Sequence, residues 1–374
     1  MNSEEKRALF LLSGIENISS LRLRLMYDHF GSFLEASKAS EEEMIRAGII
    51  DPLKDRNYRG YYGKRVSDEK YTDGMKRRFD AMEKDGIRMI TFDEPEMPGR
   101  FNILEDPPVC LYVKGKLPDD HIPSVSIIGS RLCSEYGRSI AEFFAGELAK
   151  AGIQIISGMA YGIDSAAAYG ALQAGCDSFA VLGSGPDICY PAESRSVYEK
   201  MCAGQGGILS EYAPGTQAIS WHFIHRNRLI AGLGDTLAVI EAKVKSGTSI
   251  TVNDALSQGK DIFALPGRIT DPLGMGCNQL IKDGAMVITC PDDIISYLGA
   301  GKKTGKQIAA SDPEGLSPLE KRILEIMGPD SLHTEDIAEL AKTSVEEAMR
   351  ALSLLEIKKA VRSTGHARFV KIYK

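Results

Sequence analysis

The feature that most constrains this chain is a regular alternation that begins at residue 124. Short apolar segments at 124–128, 154–157, 178–182, 208–211, 236–241, 261–265 and 286–289 are separated by stretches with helical spacing. Strands that alternate with helices build crossover units and hence parallel neighbours. The near-continuous Val, Ile, Leu and Ala content of these segments fits strands buried on both faces. The pattern predicts an α/β fold with a doubly wound, Rossmann-like parallel sheet and helices on both sides.

The flanks are patterned differently. Residues 1–60 have helical spacing without strand alternation, with Leu21, Leu23 and Leu25 followed by the turn Phe30-Gly31-Ser32. They predict a small helical domain of the SAM or helix-hairpin-helix kind. Residues 61–118 are polar and helical up to Gly86, then offer strands at 88–92 and 109–114 around Asp106-Pro107-Pro108, an approach to the main sheet. Together with the sheet they form one expected domain, 61–298. Residues 299–312 are rich in Gly, Lys and Ser and read as a linker. Residues 313–374 supply three amphipathic helices, around Ile323 and Leu324, Ile337, Leu340 and Ala341, and Leu352 and Leu355, and then a hairpin. Three helices and a wing predict a winged-helix domain.

A chain of 374 residues is long enough for two or three domains with one sizeable core. Its start lacks a basic segment followed by a cleavage site, and no apolar run approaches the ~18 residues that span a bilayer, so the expectation is a cytoplasmic protein with no membrane partner. Seven cysteines without a CxxC pair read as reduced, mostly buried thiols, with neither a zinc site nor a redox motif. A net charge of −6 argues against a protein that coats DNA generally, so any anion site has to be concentrated.

Ligands of an open parallel sheet sit beyond the carboxyl ends of its strands. Here those positions are Gly129-Ser130-Arg131, then Gly158 to Asp164 with Gly162, then Gly183-Ser184-Gly185, and Lys243 to Ser249 with Lys245, Gly247 and Thr248. Several precede a helix, whose N-terminal dipole and free N–H groups favour phosphate, and Thr248 and Ser249 read as caps of such a helix. There is no GxxxxGK[ST] loop, the first loop is not GxGxxG, and no acid closes the second strand to hold a ribose. No cofactor is expected. Nor do His, Cys or carboxylates cluster there in a nucleophile–base or metal spacing; Asp164 reads as the cap of a helix starting near Ser165.

What the rim offers is cations and an aromatic. The segment His222-Phe223-Ile224-His225-Arg226-Asn227-Arg228 opens a helix on which Phe223 shares a face with Arg226 and Asn227, while Arg228 points elsewhere. A nucleobase stacks on an aromatic whatever its identity, and arginine forks onto phosphate. The alternative for Phe223 is core packing, with the arginines solvated or ion-paired. His222 and His225 read as hydrogen-bonded structural residues, and Trp221 as packing.

Together these residues resemble the DprA/Smf family of DNA-processing proteins. The match runs in order through GSR (129–131), SGMAYGID (157–164), VLGSGPDICYP (181–191), SEYAPGT (210–216), HFIHRNRLIAGL (222–233), SGTSIT (246–251), ALPG (264–267) and GCNQLIKDGA (276–285). The resemblance implies a protein without catalytic activity that binds single-stranded DNA, dimerises through its Rossmann-like domain and helps load the RecA recombinase during natural transformation. It implies a DNA role for Arg131, a stacking role for Phe223, and DNA contacts for Arg226 and Arg228. The residue three before Phe223, basic in some members, is Ser220 here, and Tyr161 stands where the family often has Arg; Lys243, Lys245 or Arg195 are the cations available to compensate. It also places the dimer contact near Asn278, Ile281 and Val287, on a helix starting at Gly276 and a last strand at 285–288.

Two other functions compete. A phosphoribohydrolase-like enzyme shares this sheet but relies on a PGGxGT loop followed by a catalytic Glu; here Ser246-Gly247-Thr248-Ser249 and Pro266-Gly267-Arg268 lack both the second glycine and the acid. A winged-helix transcription factor would use the segment from Lys358 to the end, which has six Lys or Arg and no acid.

Overall fold

A computed structural model of the protein describes every residue except 16–17, 52–61, 63–65, 301–315, 329–330, 359, 366 and 373–374. Nine strands make one sheet: β1 (Ile87–Thr91), β2 (Cys110–Gly115), β3 (Ser124–Ile128), β4 (Gln154–Ser157), β5 (Ser178–Leu182), β6 (Gly206–Ser210), β7 (Thr236–Val239), β8 (Asp261–Ala264) and β9 (Met286–Val287). Their spatial order is β1-β2-β6-β5-β4-β3-β7-β8-β9. From β3 to β9 all pairings are parallel. The expectation of a parallel sheet holds for this core and needs extension at one edge, where β1 and β2 run antiparallel. A loop rather than a crossover helix joins that pair, so its second strand returns in the opposite direction.

Alternation along β3 shows why both faces are apolar. Val125 and Ile127 enter one core with Phe144, Ile155 and the helices Glu135–Lys150 and Ile163–Gln173. Ile128 enters the other with Ile156, Val239, Leu229 and the helices Ser220–Leu233 and Thr248–Ser257.

Helices Ser3–Ser13, Ser20–Phe30, Phe33–Lys38 and Glu41–Arg46 share a third core with the helix Glu69–Lys84 and with β1 and β2. Phe10 stands edge-on to Phe79 at 5.3 Å and to Tyr112 at 5.8 Å. The N-terminal helices thus pack directly on the antiparallel edge of the sheet. The boundary expected at residues 60 and 61 falls outside the described residues, as does the linker from 301 onward.

At the C-terminus, helices Pro318–Ile326, Thr334–Ala341 and Val345–Ile357 carry a three-stranded sheet, β10 (Leu332–His333), β11 (Val361–Gly365) and β12 (Arg368–Lys371), in the order β10-β12-β11. This is a winged helix with its own core, in which Leu340 is exposed rather than buried. Its Arg362 reaches across to Glu135 at 3.0 Å and Glu142 at 3.1 Å on the helix Glu135–Lys150.

All seven cysteines are free; Cys110 and Cys277 are buried and the other five partly so. Among the described residues no helix is long and apolar enough to cross a membrane.

Candidate functional site

The chain runs outward from β3 through β4 and β5 to β6, then returns to place β7 on the opposite side of β3. The crevice between β3 and β7 is therefore the point at which the strand order reverses, where open α/β sheets take ligands. The helix Ser220–Leu233 makes the return, and its first turn overhangs the crevice. The result is a cleft of about 550 Å³.

Three segments meet there. Gly129, Ser130 and Arg131 follow β3; Lys243, Gly247 and Thr248 follow β7; Phe223, Arg226 and Asn227 come from the overhanging helix. Arg131 is exposed, with its guanidinium carbon 5.5 Å from the centre of the half-buried Phe223 ring. Among the described residues neither Arg131 nor Lys243 is in an ion pair. Gly183 at the end of β5 gives the Phe223 ring its room, since a Cβ there would lie 2.8 Å from the ring.

Arg226 lies beneath that ring, 5.6 Å from its centre, and is 3% exposed. Its Nη1 donates to the carbonyl of Gly158 at 3.0 Å and to that of Val181, tying together the ends of β4 and β5. Burial pushes its pKa down to about 10 against the opposing charge of Asp164. Asp164, whose pKa burial raises against the pull of Arg226, accepts from the Gly158 N–H at 3.0 Å. Arg226 is thus not a free phosphate fork. Asp164 is not a cap either: the helix begins at Ile163, which puts Asp164 inside the first turn, folded back on the loop.

Several other expectations change. Gly158 has its N–H on Asp164 and its carbonyl on Arg226, and Gly162 packs on the Ser130 carbonyl, so both glycines join loops to one another and neither lines the cleft. The Ser130 N–H likewise donates to the Glu241 carbonyl at 2.7 Å. Arg228, two residues round the helix from Arg226, forks onto Glu211 at 2.8 and 2.9 Å and donates to the Asp106 carbonyl at 3.1 Å, away from the cleft. Thr248 and Ser249 sit inside the first turn of their helix, whose cap position is Gly247 and carries no side-chain bond; the Ser249 hydroxyl donates to Ser246. Lys245 and Arg195 are exposed but lie outside the cleft lining.

The histidines behave as structural residues. His222 stacks on Tyr212 at 3.9 Å, and His225 sits between Asp106 at 3.3 Å and Glu211 at 3.6 Å. Trp221, read as packing, is 60% exposed, because it points to the side of the helix opposite Phe223. At the proposed dimer edge, the Asn278 side chain closes a loop by bonding both the N–H and the carbonyl of Gly267, and Ile281 packs on the core. Val287 alone of the three is exposed.

Sequence reasoning missed Tyr190, which lines the cleft 5.4 Å from Phe223, together with Leu132 and Ile224. Tyr190 lies in the loop after β5, on the rim already singled out, but five residues past the last of the glycines that marked it. Among the described residues no His, Cys, Asp or Glu cluster could hold a metal ion.

Comparison with known proteins gives the lineage of this arrangement. The sequence model of DNA recombination-mediator protein A matches residues 88–299, and that of the DprA winged helix domain matches 307–365. The DNA processing protein DprA of Streptococcus pneumoniae is 40% identical over 199 residues, 53% of this chain and 70% of that protein. The X-ray structure of the S. pneumoniae protein covers 79% of this chain and 98% of its own, at 29% identity and a TM-score of 0.59. DNA processing protein A from Helicobacter pylori, described for its single-stranded DNA binding mode, covers 56% of this chain and 95% of its own, at 33% identity and a TM-score of 0.51.

Proposed function

The chain belongs to the DNA recombination-mediator protein A family, and on that premise we propose that its cleft binds single-stranded DNA without sequence preference and without catalysing a reaction on it. The observation that carries this reading is the pairing of Phe223 with the exposed Arg131 at 5.5 Å, with Lys243 across the same cleft. An aromatic face stacks any base, and unpaired cations beside it take the phosphates on either side. The uncapped start of the helix Thr248–Ser257 adds partial positive charge to the same wall. The H. pylori relative's single-stranded DNA binding supports the same assignment.

Around this cleft we place the further roles. The protein acts in the cytoplasm as a homodimer, protects incoming single strands and helps load the RecA recombinase on them during natural transformation. The recombinase step is checked by following filament assembly on strands coated with single-strand-binding protein, with and without this protein.

The test of the cleft is a salt titration of binding to a labelled single strand and to the corresponding duplex. Tighter binding to the single strand is expected. Arg131→Ala weakens it for all sequences alike and lowers the slope of log K against log salt by ~0.7, the loss of one phosphate contact. Unchanged affinity and slope in a folded Arg131→Ala protein overturn the assignment.

A further inference from the structure

Beyond Phe223 the aromatic surface continues. Tyr190 lies 5.4 Å from Phe223, tilted by 38°, and Tyr161 lies 6.4 Å from Tyr190, turned by 77°. Both tyrosines are exposed, at 43% and 40%, although their loops are anchored by buried neighbours such as Pro191 and Gly162. Neither ring belongs to a core cluster. The Glu193 carboxylate beside its hydroxyl holds the Tyr161 phenol above its ordinary pKa.

The same loop ends in a cation. Arg195 opens the helix Arg195–Cys202 with its side chain 59% exposed, and its one ion pair among the described residues, to the still more exposed Glu199, is 4.0 Å long, a separation at which an ion pair holds little. It follows Tyr190 by five residues in the chain. Its guanidinium carbon lies 5.9 Å from the centre of the Tyr198 ring on its own helix.

We propose that Tyr190 and Tyr161 form a second base-stacking stretch, which leads a single strand out of the cleft from Phe223 toward Arg195. This rests on the reading of the cleft as a single-strand site and adds the path of the strand and the identity of its next contacts. Successive rings turn by 38° and then 77°, so a strand that stacks on all three has to change direction at each step. A single strand rotates freely about its backbone and does so; a duplex, whose bases are held in one continuous stack, does not. The stretch therefore contributes to discrimination between the two forms as well as to affinity.

The experiment compares binding of a ladder of labelled oligothymidylates, from the shortest that binds upward. Tyr161→Ala is expected to leave the shortest strand unaffected and to weaken longer ones by about fivefold or more, the lower end of the effect of losing one stacked base, with the salt slope unchanged. Arg195→Ala weakens the same longer strands but lowers the slope by ~0.7. Tyr161→Phe retains full binding. Oligonucleotides carrying 5-iododeoxyuridine at successive positions should, on irradiation, give adducts that move from Phe223 to Tyr190 to Tyr161 as the label moves along the strand. Adducts confined to Phe223 at every label position, or a Tyr161→Ala protein that binds all lengths as the parent does, overturn the proposal. In that event a defect in Arg131→Ala shows that the cleft itself still stands; if the unmodified protein binds no strand of any length, both readings fall.

Discussion

Arg226 has its guanidinium on two main-chain carbonyls and Asp164 close by, all within the sheet's upper edge. Asp164 accepts from the buried Gly158 N–H, and a buried donor left without its acceptor costs ~1–3 kcal/mol. Asp164→Ala is therefore expected to lower stability to urea by that amount, and to weaken single-strand binding only through the displaced loop 158–162. A variant as stable as its parent would show that Arg226 has a solvent route and is available to phosphate. Asp106 makes a prediction in pH. Burial by itself would raise its pKa, but the bond from His225 and the charges of Arg228 and His225 outweigh it and hold the carboxyl below its ordinary 3.8. A carboxyl whose folded pKa is depressed stabilises fully above its unfolded value and loses that contribution as pH falls through the folded one. Stability of the parent should accordingly drop below about pH 4 more steeply than that of Asp106→Asn, as followed by thermal melts across the acid range. The arginine-rich motif showed which residues are charged; which carbonyls and carboxylates meet them depends on contacts with Gly158, Val181 and Glu211, and no local spacing encodes those.

At the scale of elements, the strands were legible because burial on both faces leaves a continuous apolar run, and β3, β4 and β5 lie where the run predicts. The helix Pro272–Lys282 was placed too late, at Gly276, because its start is set by the Asp271 cap and Pro272 rather than by apolar spacing. Glycine in the rim loops was the least legible signal. Gly162 has φ +76° and ψ −122°, and a Cβ there would lie 2.3 Å from the Ser130 carbonyl oxygen. Gly247 has φ −59° with open space around it. In sequence both are loop glycines before a helix. The difference is testable: Gly162→Ala should destabilise by at least ~1–3 kcal/mol and disturb the loop that carries Arg131, whereas Gly247→Ala should be neutral or stabilising by ~0.4–1 kcal/mol. Denaturation curves of the two proteins decide it, and equal effects would mean that the Gly162 loop relaxes freely.

At the scale of the whole molecule, the sheet ends differently on its two sides. The N-terminal helices pack on the sheet at its β1 end and share its core, whereas β9 is a two-residue strand that, among the described residues, pairs with β8 alone. An uncovered edge invites pairing with another chain, and this is the edge at which we place the homodimer contact. Of the three residues chosen from the sequence, Asn278 is occupied in closing its own loop and Ile281 is packed on the core, so a charge at either would test folding before association. Val287, 45% exposed on the edge strand, is free of that ambiguity. Two clefts in one particle raise the effective concentration of strand at the second once the first is filled, so binding should tighten on strands long enough to reach both. Val287→Lys is therefore expected to give a folded monomer by light scattering, with parental affinity for a short strand and weaker binding to a long one. A protein that stays dimeric places the contact elsewhere, and one that loses short and long strands alike ties Val287 to the fold of the cleft instead.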